Sequence, residues 1–98
     1  MTFDLLIKPA ANDDVLRAIR WYERAAPGLG DDFERRFEQV LDRICRDPAS
    51  FGPVYRDVYR VGMTRFPYGV FFRVRSSRIV VIIAVLHGRQ SLQRLKRR

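Results

Sequence analysis

The stretch "RFPYGVFFRVRSSRIVVIIAVLHGRQ", Arg65 to Gln90, decides the fold because it carries two different patterns side by side. Phe66, Tyr68, Val70, Phe72 and Val74 alternate with Pro67, Gly69, Phe71, Arg73 and Arg75, the period of a strand with one buried face. "SSR" supplies a tight connection. Ile79 to Leu86 is then apolar at every position, which predicts a strand covered on both faces in the middle of a sheet. Just upstream, Val58 to Val61 reads as a shorter strand and Gly62 to Thr64 as a turn. Three successive strands joined this way form an antiparallel meander, with the first strand of the chain and Val58 to Val61 as candidate edges.

Toward the N-terminus the period changes. Phe3, Leu5 and Ile7 alternate with polar neighbours as a short strand that Pro9 ends. Asn12 is then a plausible helix cap, with Asp13 and Asp14 in the first turn, and Val15, Ala18, Ile19, Tyr22 and Ala25 recur at helical spacing. A second helix is marked by Asp31 and Glu34 as a capping box, and by the stripe Leu29, Phe33, Phe37, Val40, Leu41, Ile44 and Cys45. The connection through Pro27 and Gly28 is short, so the helices should form an antiparallel hairpin. The expected fold is α+β: an N-terminal strand, a helix hairpin, a three-stranded meander (β-α-α-β-β-β) and a short basic C-terminal segment, in one domain over 1–98.

Composition narrows the function. The 98 residues carry a net charge of +8, but residues 1–50 hold 8 basic and 10 acidic side chains while 51–98 hold 11 and one. Ten of those 11 cations are arginine, whose planar fork suits phosphate, carboxylate and aromatic faces. An acidic or polyanionic partner is expected. No apolar run is long enough to span a bilayer, and "MTFDLLIKPA" lacks the pattern of a secretory leader, so a cytoplasmic location is expected. Cys45 is the only cysteine, which leaves no intramolecular disulfide and no thiolate-rich metal site; neither metal nor cofactor is expected.

Taken in order, "AANDDVLRAIRWYERA", "ICRDPASFGPVYR", "VYRVGMTRFPYGVFFRV" and "IVVIIAVLHGRQ" resemble the RelE/ParE superfamily of toxins from bacterial type II toxin-antitoxin systems. The resemblance covers nearly the whole chain and is closer to the ParE branch and its plasmid-stabilisation relatives. It implies a toxin neutralised by a cognate, ParD-like antitoxin in a hetero-oligomer, with DNA gyrase as target in the ParE branch. In the RelE branch the activity is instead ribosome-dependent cleavage of messenger RNA. That branch carries a basic residue where this chain has Gly69 and often a tyrosine where it has Leu95. Arg60 and Arg89 do fall at positions that are basic there.

The candidate target contacts are Arg65, Arg73, Arg75, Arg78, Arg89 and Arg94. Asp57 is the only acid in the second half, so a contiguous positive surface is expected. Trp21, Tyr22, Phe33, Phe37 and Phe71 are the candidate antitoxin contacts, although Phe33 and Phe37 at that spacing are also ordinary core. The resemblance to the ParE branch assigns no catalytic residue. The alternative, an RNase, would use Arg60, Arg89 and His87; histidine is the side chain that exchanges protons near neutral pH, but one histidine without a tyrosine or carboxylate at a recognisable spacing reads first as a strand-end residue bonded to backbone. A member that has kept antitoxin binding and lost toxicity is a third possibility.

Overall fold

The apolar run forms β5 (Ile79–His87), the strand on which the rest is assembled, in a computed structural model that describes residues 3–76, 78–88 and 91–97. It lies between β1 (Asp4–Ile7), which it pairs in parallel, and β4 (Tyr68–Arg75), which it pairs antiparallel. β3 (Val58–Gly62) and β2 (Pro53–Tyr55) continue the antiparallel side, giving a five-stranded sheet in the order β1-β5-β4-β3-β2. Helices α1 (Pro9–Ala25) and α2 (Leu29–Arg46) cover one face, and the short α3 (Ser91–Lys96) lies on the other through Leu95. The α+β class is as expected, but the sheet is mixed and has one strand more than the pattern indicated.

That extra strand corrects the edge assignment. β2 is three residues long and begins with proline, too short for any period to show, yet it covers the outer side of β3, so Val58 to Val61 is not an edge. Both true edges, β1 and β2, are brief, which limits the unpaired backbone offered to other chains.

A bulge inside β5 could not be seen in a run without polar residues. Phe71 pairs with Ala84 but Phe72 pairs with Ile82, leaving Ile83 as the additional residue. Val80, Ile82 and Val85 therefore face the helix hairpin, while Val81, Ile83, Ala84 and Leu86 face α3. With its upper stretch buried on both sides, each of the valine, isoleucine and leucine side chains contributes roughly 1.5–3 kcal/mol of burial.

Against the hairpin face pack Ala11, Val15 and Ala18 of α1 and Phe33, Phe37, Val40, Leu41 and Ile44 of α2. Tyr22, Phe33, Phe66 and Tyr68 form an aromatic cluster where the hairpin meets the sheet, with ring centroids of Tyr22–Phe66 at 4.8 Å, Phe33–Phe66 at 5.1 Å and Phe33–Tyr68 at 5.2 Å.

Both helices begin earlier than their acidic residues suggested. α1 starts at Pro9 with Lys8 as N-cap, because proline's fixed φ and missing N–H suit the first helical position. Asp14 is consequently beyond the first turn and buried. α2 starts at Leu29 after Gly28, whose φ of 87° is left-handed, and the Asp31/Glu34 capping box does not form. The cap comes from the preceding helix: the Glu23 carboxylate accepts from the amides of Gly28 and Gly30, all at 3.1 Å. Gly30 itself sits where α1 and α2 touch, and a Cβ there would lie 2.9 Å from the carbonyl oxygen of Ile19.

Gly30→Ala should therefore destabilise the chain by about 1–3 kcal/mol, the range for overpacking, even though alanine gains up to ~1 kcal/mol of helix propensity over glycine. Urea denaturation measures this directly; a variant at least as stable as the parent would mean that the hairpin spreads without cost.

Candidate functional site

β1 is shorter than β5. Their pairing ends at Ile7 and Ile82, after which the Lys8 amide donates to the Ile82 carbonyl at 3.0 Å. Beyond that point α1 lies against the open side of β5. Asp14, only 4% exposed, places Oδ2 3.0 Å from the Val85 amide and Oδ1 2.8 Å from Nη2 of Arg17. The carboxylate thus takes the hydrogen bond that a longer β1 would have taken. The Arg17 side chain is 59% exposed, so solvent screens the ion pair, and the buried bond to Val85 is the stronger structural link.

Above Asp14 opens a cleft of about 370 Å³ between α1 and the end of β5. Arg17, Arg20, Trp21 and Arg24 line it from α1, Val85, Leu86 and His87 from β5, Tyr68 from β4 and Arg94 from α3. The His87 ring meets Tyr68 edge-on at 5.5 Å. Burial, followed by the nearby Asp14 carboxylate, pushes the Tyr68 phenol above its usual range, so it remains a hydroxyl donor and not a base. Burial also raises Tyr22, with Tyr68 as a secondary cause. The cleft can hold anions and flat rings, while its one carboxylate is already engaged by Val85 and Arg17. Among the described residues no group of three or more His, Cys, Asp or Glu side chains is placed to hold a metal ion.

A second basic surface occupies the opposite face of the sheet. Arg60 lies over the Phe71 ring at 5.8 Å and spreads its guanidinium across Gly69, where any Cβ would overlap it. Arg73 pairs with Asp57 at 3.1 Å, and Arg75 is exposed two residues further along β4. Leu95 is 4% exposed, seated among Phe71, Leu86 and Val58. Tyr55 beside it is flanked by Arg56 and Lys96 at 5.3 and 5.6 Å.

The expected single positive patch is therefore divided. Arg73, Arg75 and Arg78 lie toward one end of β4, and Arg65, in the turn at the other end with a φ of 74°, is separated from them by a strand about 25 Å long. Arg94 belongs to the cleft, and Arg89 lies outside the described residues. Of the expected antitoxin contacts, Trp21 alone is prominently exposed, at 66%. Phe33 and Phe37 are buried and Tyr22 is half-buried in the aromatic cluster, because the stripes that carry them join the hairpin to the sheet, and Phe71 is buried on the other face beneath Leu95 of α3. Sequence reasoning passed over Asp14, Arg17, Arg20 and Arg24. The signal was present in the spacing of Arg17, Arg20, Trp21 and Arg24, which share one helical face.

Residues 5–92 match the family described as the ParE toxin of type II toxin-antitoxin systems, parDE. Among solved structures, a chain from the chromosomal ParDE system of P. aeruginosa superposes with a TM-score of 0.77 at 13% identity, over 88% of this chain and 96% of that one. The RelBE2 toxin-antitoxin complex of Mycobacterium tuberculosis gives 0.62 at 17% identity, over 89% and 99%. An arginine-to-alanine double mutant of E. coli toxin RelE in the free state gives 0.58 at 16%, over 99% and 98%. At these identities the likeness establishes the fold. No curated protein matches the chain.

The geometry around Asp14 makes a direct prediction. Asp14→Ala leaves the Val85 amide buried without an acceptor and should cost roughly 2–3 kcal/mol, whereas Asp14→Asn keeps an acceptor oxygen and should cost about half as much. Equal losses in urea denaturation would show that the charge, and not the acceptor, is what matters.

Proposed function

The chain belongs to the ParE toxin family of type II toxin-antitoxin systems, and from that membership we propose that it acts in the cytoplasm by binding DNA gyrase, without chemistry of its own, and that a cognate ParD-like antitoxin neutralises it. One observation carries the choice of binding over cutting. RNA cleavage needs its proton carriers and its charge-stabilising groups around a single scissile phosphate. His87 and Arg60, two of the three residues available to an RNase, face opposite sides of the sheet: His87 packs on Tyr68 toward the hairpin, and Arg60 lies over Phe71 on the α3 side.

The remaining positions support the same reading. Where the RNase branch would place a cation, Gly69 has no side chain, and the Arg60 guanidinium lies across it. Where that branch often has tyrosine, Leu95 is a core side chain. Arg73 and Arg75, on the same face as Arg60, are the natural target contacts. For the antitoxin, β1 offers an unpaired edge with Leu5 and Leu6 at 40 and 55% exposure, suited to an added strand with apolar side chains.

Expression of the chain without an antitoxin should halt supercoiling by gyrase while transcripts keep intact ends, and Arg73→Glu with Arg75→Glu should weaken the inhibition at least tenfold, as loss of charge-assisted bonds would. Transcripts cut at ribosomal positions, with supercoiling unaffected, would establish the RelE-like messenger RNA endonuclease instead. Absence of both effects, with antitoxin binding retained, would identify a member that has lost its toxicity.

A further inference from the structure

We propose that the cleft between α1 and the end of β5 binds a short single-stranded nucleic-acid segment, with Trp21 as its stacking platform. This stands apart from the identity of the toxin's enzyme target.

Trp21 is the only tryptophan in the chain and, at 66% exposure, the most exposed large apolar side chain among the described residues. Arg17, Arg20 and Arg24 surround it at one-turn spacing, and Arg94 approaches from α3. Among the described residues Asp14 is the only acid lining the cleft; it is 4% exposed, and both its oxygens are already hydrogen-bonded. The cleft is therefore cationic around an uncovered indole. Non-specific single-strand sites combine these two elements: cations track the phosphates and aromatic rings take the bases, every one of which has a flat face.

Dimensions agree. Arg17 to Arg24 covers about 10 Å along the helix axis, matching about three nucleotides of a stacked strand at 3.4 Å each. Bases in a duplex are already stacked on their neighbours and cannot reach the indole without being extruded. An acidic polypeptide would satisfy the guanidinium forks but must bring a separate apolar side chain to cover the indole, whereas every nucleotide carries both a phosphate and a flat base.

The single tryptophan is also the probe. Titrating the full-length protein with a ten-nucleotide thymidine oligomer should quench Trp21 emission to saturation. The logarithm of the apparent affinity should fall with that of salt concentration at a slope of about −2, from roughly −0.7 for each of three phosphates. Arg20→Glu with Arg24→Glu should weaken binding more than tenfold, and Arg20→Gln with Arg24→Gln should do so in milder form if charge reversal disturbs folding. Arg73→Glu with Arg75→Glu, the same change of charge on the other basic surface, should shift it less than threefold. Three results would overturn the proposal: no quenching, equal weakening by the two reversed pairs, or quenching by polyglutamate as strong as by the oligomer at equal charge.

Discussion

β1 supplies four residues of pairing and β5 is nine residues long, so on the side away from β4 the backbone of β5 beyond Ile82 must find partners outside the sheet. Asp14 answers that need at Val85, and much of the molecule follows from it. To deliver a carboxylate to a strand's amide, α1 must lie along the open side of β5 at a fixed height and rotation. That fixes Val15 and Ala18 against the sheet and the Tyr22 ring against Phe66 and Tyr68. It also turns Arg17, Trp21 and Arg24 outward above His87. The bulge at Ile83 belongs to the same arrangement, since it returns Val85 to the hairpin side after two consecutive residues facing away.

Elements with long, periodic patterns were legible from residues alone. The α2 stripe, the alternation in β4 and the unbroken run of β5 all appear where their periods place them. What stayed hidden had no period to show, or had two physical meanings. Pro9 suits both the end of a strand and the first turn of a helix, and the choice moves Asp14 out of the first turn, where a carboxylate would serve the helix start, and into the helix body. The cap of α2 comes from Glu23, in the preceding helix, so the nearby Asp31 and Glu34 pointed to the wrong start. β2 is too short to be periodic. A bulge in an all-apolar strand exchanges one buried face for the other and leaves the composition unchanged.

The site was legible in kind but not in arrangement. An excess of arginine in the second half announced a binding surface, yet adjacency along the chain could not say which side of a sheet each residue would face. Pairing sets that, and it sends Arg60 and Arg73 one way and His87 the other. The acidic balance of the first half concealed Arg17, Arg20 and Arg24, because their acidic neighbours are occupied internally: Asp14 by Val85 and Glu23 by the start of α2. Formal charge counted by segment misses cations whose counter-charges have been drawn into the fold.

The parallel pairing of β1 with β5 joins the first strand of the sheet to the last. As the chain leaves the ribosome, β1 has no partner and Asp14 no amide to receive until almost all of the remainder has been made. The helix hairpin can gather early, since its contacts are local. The sheet, with the cleft and the arginine face it organises, cannot. A chain built in this order carries a delay within its topology: an interrupted or prematurely released chain holds the helix hairpin but neither the cleft nor the arginine face, both of which need the finished sheet.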